Sequence, residues 1–128
     1  MKEVLAIIRM TKMNATKEAL AEAGVASFTA RKVMGRGTGK VDYLLLKGAE
    51  EGHEEAISQL GPGPKLVPKR MVSVVVPDKL VPLVTHTIIA VNQTGSPGDG
   101  KLFVMPVSEA VRVRTGETDD AALDETVA

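Results

Sequence analysis

"KRMVSVVVPDKLVPLVTHTIIAVNQTGSPGDGKLFVMPV", Lys69 to Val107, decides the fold. Its first nine residues, Lys69 to Pro77, are dominated by β-branched valines and form the clearest strand in the chain. Asp78 then stands where it can cap a helix, whose apolar face is Val81, Val84, Ile88 and Val91 at spacings of three and four. Pro82 falls in the first turns, where a missing N–H is tolerated. A Gly-rich loop follows, and "KLFVMPV", Lys101 to Val107, reads as the next strand.

Within that loop, Gly95 to Lys101 has the G-x-x-x-x-G-K spacing of a Walker P-loop, but Leu102 occupies the place of the magnesium-holding Ser or Thr. A Walker loop also lies between a strand and a helix, so that the helix N-terminus faces the phosphates. Here the helix comes first and a strand follows, so nucleotide hydrolysis of the Walker type is excluded twice. Two readings remain. Gly95, Gly98 and Gly100 lack Cβ atoms, so their backbone N–H groups can converge on an anion with Lys101 at the rim. Alternatively the stretch is a Gly-Asp-Gly turn with a solvated lysine, the commoner outcome on spacing alone.

Arg112 and Arg114 bear on this choice. They alternate in "VRVR", Val111 to Arg114, predicted as a short strand with both guanidinium groups on one face. Such a pair either clamps an anion or meets carboxylates such as Asp119 or Asp120. Loop and pair together favour an anion.

Outward toward the N-terminus, "VLAII", Val4 to Ile8, is a strand. Thr11 to Gly24 is an amphipathic helix with Met13, Thr16, Leu20 and Ala23 on one stripe and Gly24 at the C-cap. Ser27 to Met34 is a second strand, followed by "GRGTGK", Gly35 to Lys40. The sequence then loses strong periodicity until Lys69, with Val41 to Leu46 able to extend a hairpin and Glu54 to Leu60 able to form a helical turn. Connections of this length are usually functional. Strand, helix, strand, long loop, strand, helix, strand predicts an α+β, ferredoxin-like βαββαβ sandwich: an antiparallel sheet with two helices on one face. Its uncovered sheet face would be buried by oligomerisation. The domain spans 1–116, and the last twelve residues, with five acids and no base, are expected to be a mobile acidic tail, 117–128.

Composition narrows the function. A chain of 128 residues with 44% apolar and 25% charged residues can bury one modest core. Aromatics at 2% leave no stacking platform for single-stranded nucleic acid, and sixteen basic residues against sixteen acidic ones give no basic field for a polyanion. Without Cys, and with His53 and His86 far apart and read as solvated, no metal site is expected. "EEGHEEAI", Glu50 to Ile57, reads as a solvated loop or a surface that orders against a target. No stretch has the length of a membrane span or a signal h-region, so a cytoplasmic protein without membrane insertion is expected. No nucleophile stands with a base, so no catalytic residues are assigned and the protein is read as a non-enzyme.

Taken together, "TGSPGDGKLFV", "VRVRTGETDDAAL", "AIIR", "EALAEAG", "VMGRGTGK", "KGAE" and "VVVPDKLV" fall in the order and at the spacings of the PII signal-transduction family. The chain resembles that family over its whole length except a stretch inside the long loop. The resemblance implies a trimer of ferredoxin-like subunits that binds ATP or ADP with Mg2+ between subunits, senses 2-oxoglutarate, and acts on targets through a T-loop, here about 36–68. By position, Gly98, Asp99, Gly100 and Lys101 would cradle phosphates, and Arg112 and Arg114 would reach them. Thr29, Val75 and Gly35, Arg36, Gly37, Thr38 and Gly39 would line the nucleoside side and the T-loop base. Lys69, with Gly37, Gly39 and Lys40, would take 2-oxoglutarate. Two positions depart from the family pattern. Glu51 stands where enteric-type members carry the tyrosine that is uridylylated, and Gly39 replaces a glutamine of the 2-oxoglutarate and magnesium site. The longer T-loop and "RVRTGETDD" resemble the second paralogue of the nitrogenase-linked branch. That implies a homotrimer, or a heteromer with a sister PII-like subunit, that inhibits the dinitrogenase component when fixed nitrogen is plentiful. An ammonium transporter or a metabolic enzyme is the alternative target; a small P-loop-like hydrolase is the alternative class.

Overall fold

The computed structural model describes residues 1–37 and 66–124. Four strands and two helices follow one another as β1 (Lys2–Arg9), α1 (Met13–Glu22), β2 (Thr29–Gly35), β3 (Val67–Val76), α2 (Val81–Asn92) and β4 (Gly100–Pro106). The sheet order is β2-β3-β1-β4, with β1 antiparallel to both β3 and β4. This is the ferredoxin-like α+β fold expected from the order of apolar runs. The possible hairpin extension at 41–46 and the helical turn at 54–60 lie outside the described residues.

Alternation along β1 and β3 builds the core. Val4, Ala6 and Ile8 are buried on β1, as are Val72, Val74 and Val76 on β3. The register sets Val4 opposite Val74 and Ala6 opposite Val72, so these side chains share one face. Leu20 and Thr16 of α1 and Val84 and Ile88 of α2 are buried in the same region, with Met13, Phe28, Leu80, Val81 and Leu102 packed around the core. Leu5, Ile7, Met71 and Val75 alternate onto the opposite face and remain half-buried, while Phe103 is 44% exposed.

The caps follow partly from sequence. Gly24 takes φ +88°, and the N–H of Val25 closes the end of α1 on Leu20 O at 2.8 Å, as a glycine C-cap does. Asp78, expected to cap the second helix, does not. A 3₁₀ turn at Asp78–Leu80 intervenes, and the carboxylate instead takes the Met1 ammonium at 2.8 Å, with Lys2 at 3.9 Å. A full positive charge outcompetes backbone N–H groups that the 3₁₀ turn can satisfy itself.

Two compact units divide the chain. One comprises Met1–Val33 with Lys69–Ala128 and holds the core; the other, Met34–Pro68, is described at its two ends only, the last residues of β2 with Arg36 and Gly37, and Leu66 to Pro68.

Candidate functional site

The loop from Gln93 to Asp99 joins α2 to β4, and Asp99 organises it. Its carboxylate accepts the Thr94 N–H at 2.7 Å, the Thr94 hydroxyl at 2.5 Å and the Gly95 N–H at 2.9 Å. From β1, the Arg9 guanidinium meets the same carboxylate at 2.5 Å and also donates to Pro97 O at 2.9 Å. The Thr94 hydroxyl and N–H, then Arg9 and the Gly95 N–H, hold the Asp99 carboxyl well below the usual carboxylate range, against a desolvation that opposes them. Two of the loop's N–H groups are thus spent on a carboxylate supplied by the loop itself. Because that carboxylate is an anion turned inward, Asp99 can meet a bound phosphate only through its backbone.

Glycine is required at two positions. Gly100, at φ +117°, pairs opposite Ile8, and a Cβ there would lie 2.1 Å from Ile7 O. Gly98, at φ +98°, brings its backbone beside Arg9, whose Nη2 would be 3.2 Å from an added Cβ. Lys101 follows, exposed, opposite Ile7 on β1. A cavity of about 390 Å3 opens beside it, walled by Ile8, Ile88, Ile89 and Leu102 and edged by Asp99 and Lys101.

Lys69 stands opposite Arg9 in the β1–β3 register, and its Nζ donates to Gly98 O at 3.3 Å. Residues assigned from sequence to two different ligands therefore touch. Arg9 was not among the residues singled out, although it holds the loop from below. Its sequence signals were a charge ending the first apolar run and its place in "AIIR", neither of which pointed to the loop.

The other assigned residues are dispersed. Thr29 opens β2 and is exposed, while Val75 lies on β3 opposite Glu3. Gly35 ends β2, and Arg36 and Gly37 follow, exposed. Thr38, Gly39 and Lys40 lie outside the described residues, as do Glu51 and His53. His86 is exposed on α2.

Arg112 and Arg114 depart from expectation. Val111 forms a single bridge with Thr118 rather than opening a strand, and Arg112 N donates to Glu117 O at 2.8 Å and Gly116 N to Arg112 O at 2.7 Å. The chain therefore turns back on itself, and strand alternation does not set the two side chains. Arg112 pairs with Glu117 at 3.7 Å and Asp124 at 3.3 Å, and it donates to the carbonyls of Ala122 and Leu123 at 3.3 and 3.4 Å. These are not the carboxylates foreseen, Asp119 and Asp120. Arg114 is exposed.

The same contacts set the described part of the expected tail, 117–124, against the domain. Asp119–Ala122 forms a 3₁₀ turn, Asp119 N donates to Ala110 O at 2.7 Å, and Leu123 is buried. Ser27 donates to Asp124 at 2.6 Å. Glu117, Asp119, Asp120 and Asp124 are exposed, but one leucine and the Arg112 guanidinium dock the segment as far as Asp124.

Residues 1–117 match the family model described as nitrogen regulatory protein P-II. A "nitrogen fixation nifHD region GlnB-like protein 2" of Methanobacterium ivanovii is 44% identical, over 96% of this chain and 99% of that protein. A protein of the same description from Methanothermococcus thermolithotrophicus is 45% identical, over 96% and 98%. The "nitrogen regulatory protein P-II 1" of Escherichia coli is 41% identical, over 96% and 100%.

Proposed function

Because this chain belongs to the nitrogen regulatory protein P-II family, a family of signalling regulators and not of enzymes, we propose that it reads two small anions and reports them to a protein target. ATP or ADP would bind with Mg2+ at Gly98–Lys101 with Arg112 and Arg114, and 2-oxoglutarate beside Lys69. The contact that carries this reading is Lys69 Nζ on Gly98 O at 3.3 Å. A cation held only by a backbone carbonyl can exchange it for a carboxylate, a stronger partner, and doing so releases the glycine loop. Occupancy of one site would thereby be felt at the other, and the coupling must be reciprocal.

In this reading the segment from 36 to 68 carries the signal to the target. The dinitrogenase component of nitrogenase is the target we propose, inhibited when fixed nitrogen is plentiful; support comes from the names of the Methanobacterium and Methanothermococcus relatives, which tie those proteins to a nitrogen-fixation region. Assembly as a trimer, with itself or with a sister subunit, is supported by the apolar side chains on the sheet face away from the helices, Phe103 among them. Among the described residues no helix is long and apolar enough to cross a membrane, and the protein is proposed to act in the cytoplasm.

Calorimetry of the intact chain tests the ligand part. Lys101→Ala is expected to weaken ATP binding by ~10-fold or more, as loss of a charge-assisted contact predicts, and Lys69→Gln to weaken 2-oxoglutarate binding in the presence of Mg-ATP. Unchanged affinities in both variants overturn the assignment. Capture of dinitrogenase that 2-oxoglutarate with ATP releases tests the target, and persistence of the complex under those ligands counts against it.

A further inference from the structure

We infer that the acidic segment Glu117–Asp124 is an internal competitor of nucleotide, occupying the Arg112 guanidinium until phosphate displaces it; this rests on the proposed phosphate role of Arg112. The carbonyls of Ala122 and Leu123 accept from its Nη2, and the carboxylates of Asp124 and Glu117 lie at ion-pair distance, 3.3 and 3.7 Å, the latter from an Nε without a hydrogen-bond partner among the described residues. Carboxylate and phosphate present the same oxygen geometry to a guanidinium, so one can stand in for the other. Asp124 is shared, since its Oδ2 also accepts the Ser27 hydroxyl two residues before β2.

The hold is built to be reversible. Glu117 and Asp124 are about half exposed, at 49% and 54%, against 27% for Arg112, so solvent screens both pairs. Asp119 is held at φ +55°, a left-handed conformation that non-glycine residues adopt at a cost, and releasing the segment relieves it. Buried Leu123 and the bridge from Val111 to Thr118 keep the carboxylates at high local concentration, so a single-charge mimic can compete with a more highly charged free ligand.

The test uses the full chain with ATP as probe. Glu117→Gln with Asp124→Asn, which leaves Leu123 in place, is expected to bind ATP ~3-fold to 10-fold more tightly than the unaltered protein, since both exposed pairs are removed. Truncation after Gly116 should do at least as much. In the unaltered protein, ATP should lower the hydrogen-exchange protection of 118–124. Affinity and protection that both stay constant, while Arg112→Ala weakens ATP binding, overturn the competition and leave the phosphate role of Arg112 intact. An Arg112→Ala variant that binds ATP normally overturns that role, and the competition with it.

Discussion

The Arg9 guanidinium and the Asp99 carboxylate, ninety residues apart in the chain, meet at 2.5 Å beneath the glycine loop. Among the described residues, every other partner of that carboxylate lies within the loop, at Thr94 and Gly95. The pair therefore fastens a self-contained turn to the central strand of the sheet. The loop presents Gly98 and Lys101 from a fixed base, which a Gly-rich segment could not do unaided.

A pH dependence follows from this pair. The folded-state pKa of Asp99 is depressed, so its contribution to stability is fully present above the unfolded carboxyl value of ~3.9 and fades as pH falls from there toward the lower folded value. Asp78, lowered chiefly by its hydrogen bond from the Met1 ammonium, adds a second contribution of the same sign. Asp99→Asn is expected to be less stable than the unaltered protein at pH 7. Its stability should fall less steeply below pH ~4, with Asp78 still contributing, so that the two proteins converge. Urea midpoints at pH 7, 5 and 3 check this, and a constant gap between them at all three values contradicts it.

A second prediction concerns the helices. Asn92 Nδ2 donates to Thr16 Oγ1 at 3.0 Å and to Ile88 O at 2.9 Å, while the Thr16 hydroxyl donates to Lys12 O at 2.7 Å. Both neighbours of the amide are acceptors, which fixes its orientation, and both residues are buried. Thr16→Val keeps the shape and should cost ~1–3 kcal/mol by stranding a buried donor, whereas Thr16→Ser should recover most of it. Asn92→Asp should cost more than Thr16→Val at pH 7, because it turns acceptor oxygens toward acceptors and adds a buried charge. Denaturant unfolding of the three variants ranks them.

These features also mark where sequence reading stops. The valine-rich runs of β1 and β3 and the three-four spacing of α2 carry their own period, so element order and fold were legible, as was the C-cap at Gly24. Asn92 was not, because the apolar stripe was ended at Val91, and a polar residue one position on gives no sign that Thr16 of another helix awaits it. The hold of Arg9 on the Asp99 carboxylate was not legible either, since nothing local points to a partner on β1. Five acids in twelve residues suggested a solvated tail, yet Leu123 among them was the overlooked signal, an apolar side chain able to anchor the rest. The misses share one cause: each depends on a partner distant in sequence, which neither period nor composition reports.

The last prediction separates a glycine of the loop from the glycine that opens β4. Gly95 and Gly100 both have positive φ, +85° and +117°, but a Cβ on Gly95 would meet nothing within 4 Å while one on Gly100 would lie 2.1 Å from Ile7 O. Gly95→Ala should therefore cost only the left-handed backbone penalty, ~1–2 kcal/mol. Gly100→Ala must in addition push β4 away from β1 where Gly100 pairs with Ile8, and it should cost clearly more, ~3 kcal/mol or beyond. Urea midpoints compare the two, and amide exchange of β4 near Gly100 should accelerate in Gly100→Ala alone. Equal losses in both variants would mean that β1 and β4 do not approach as closely at this point as the register requires.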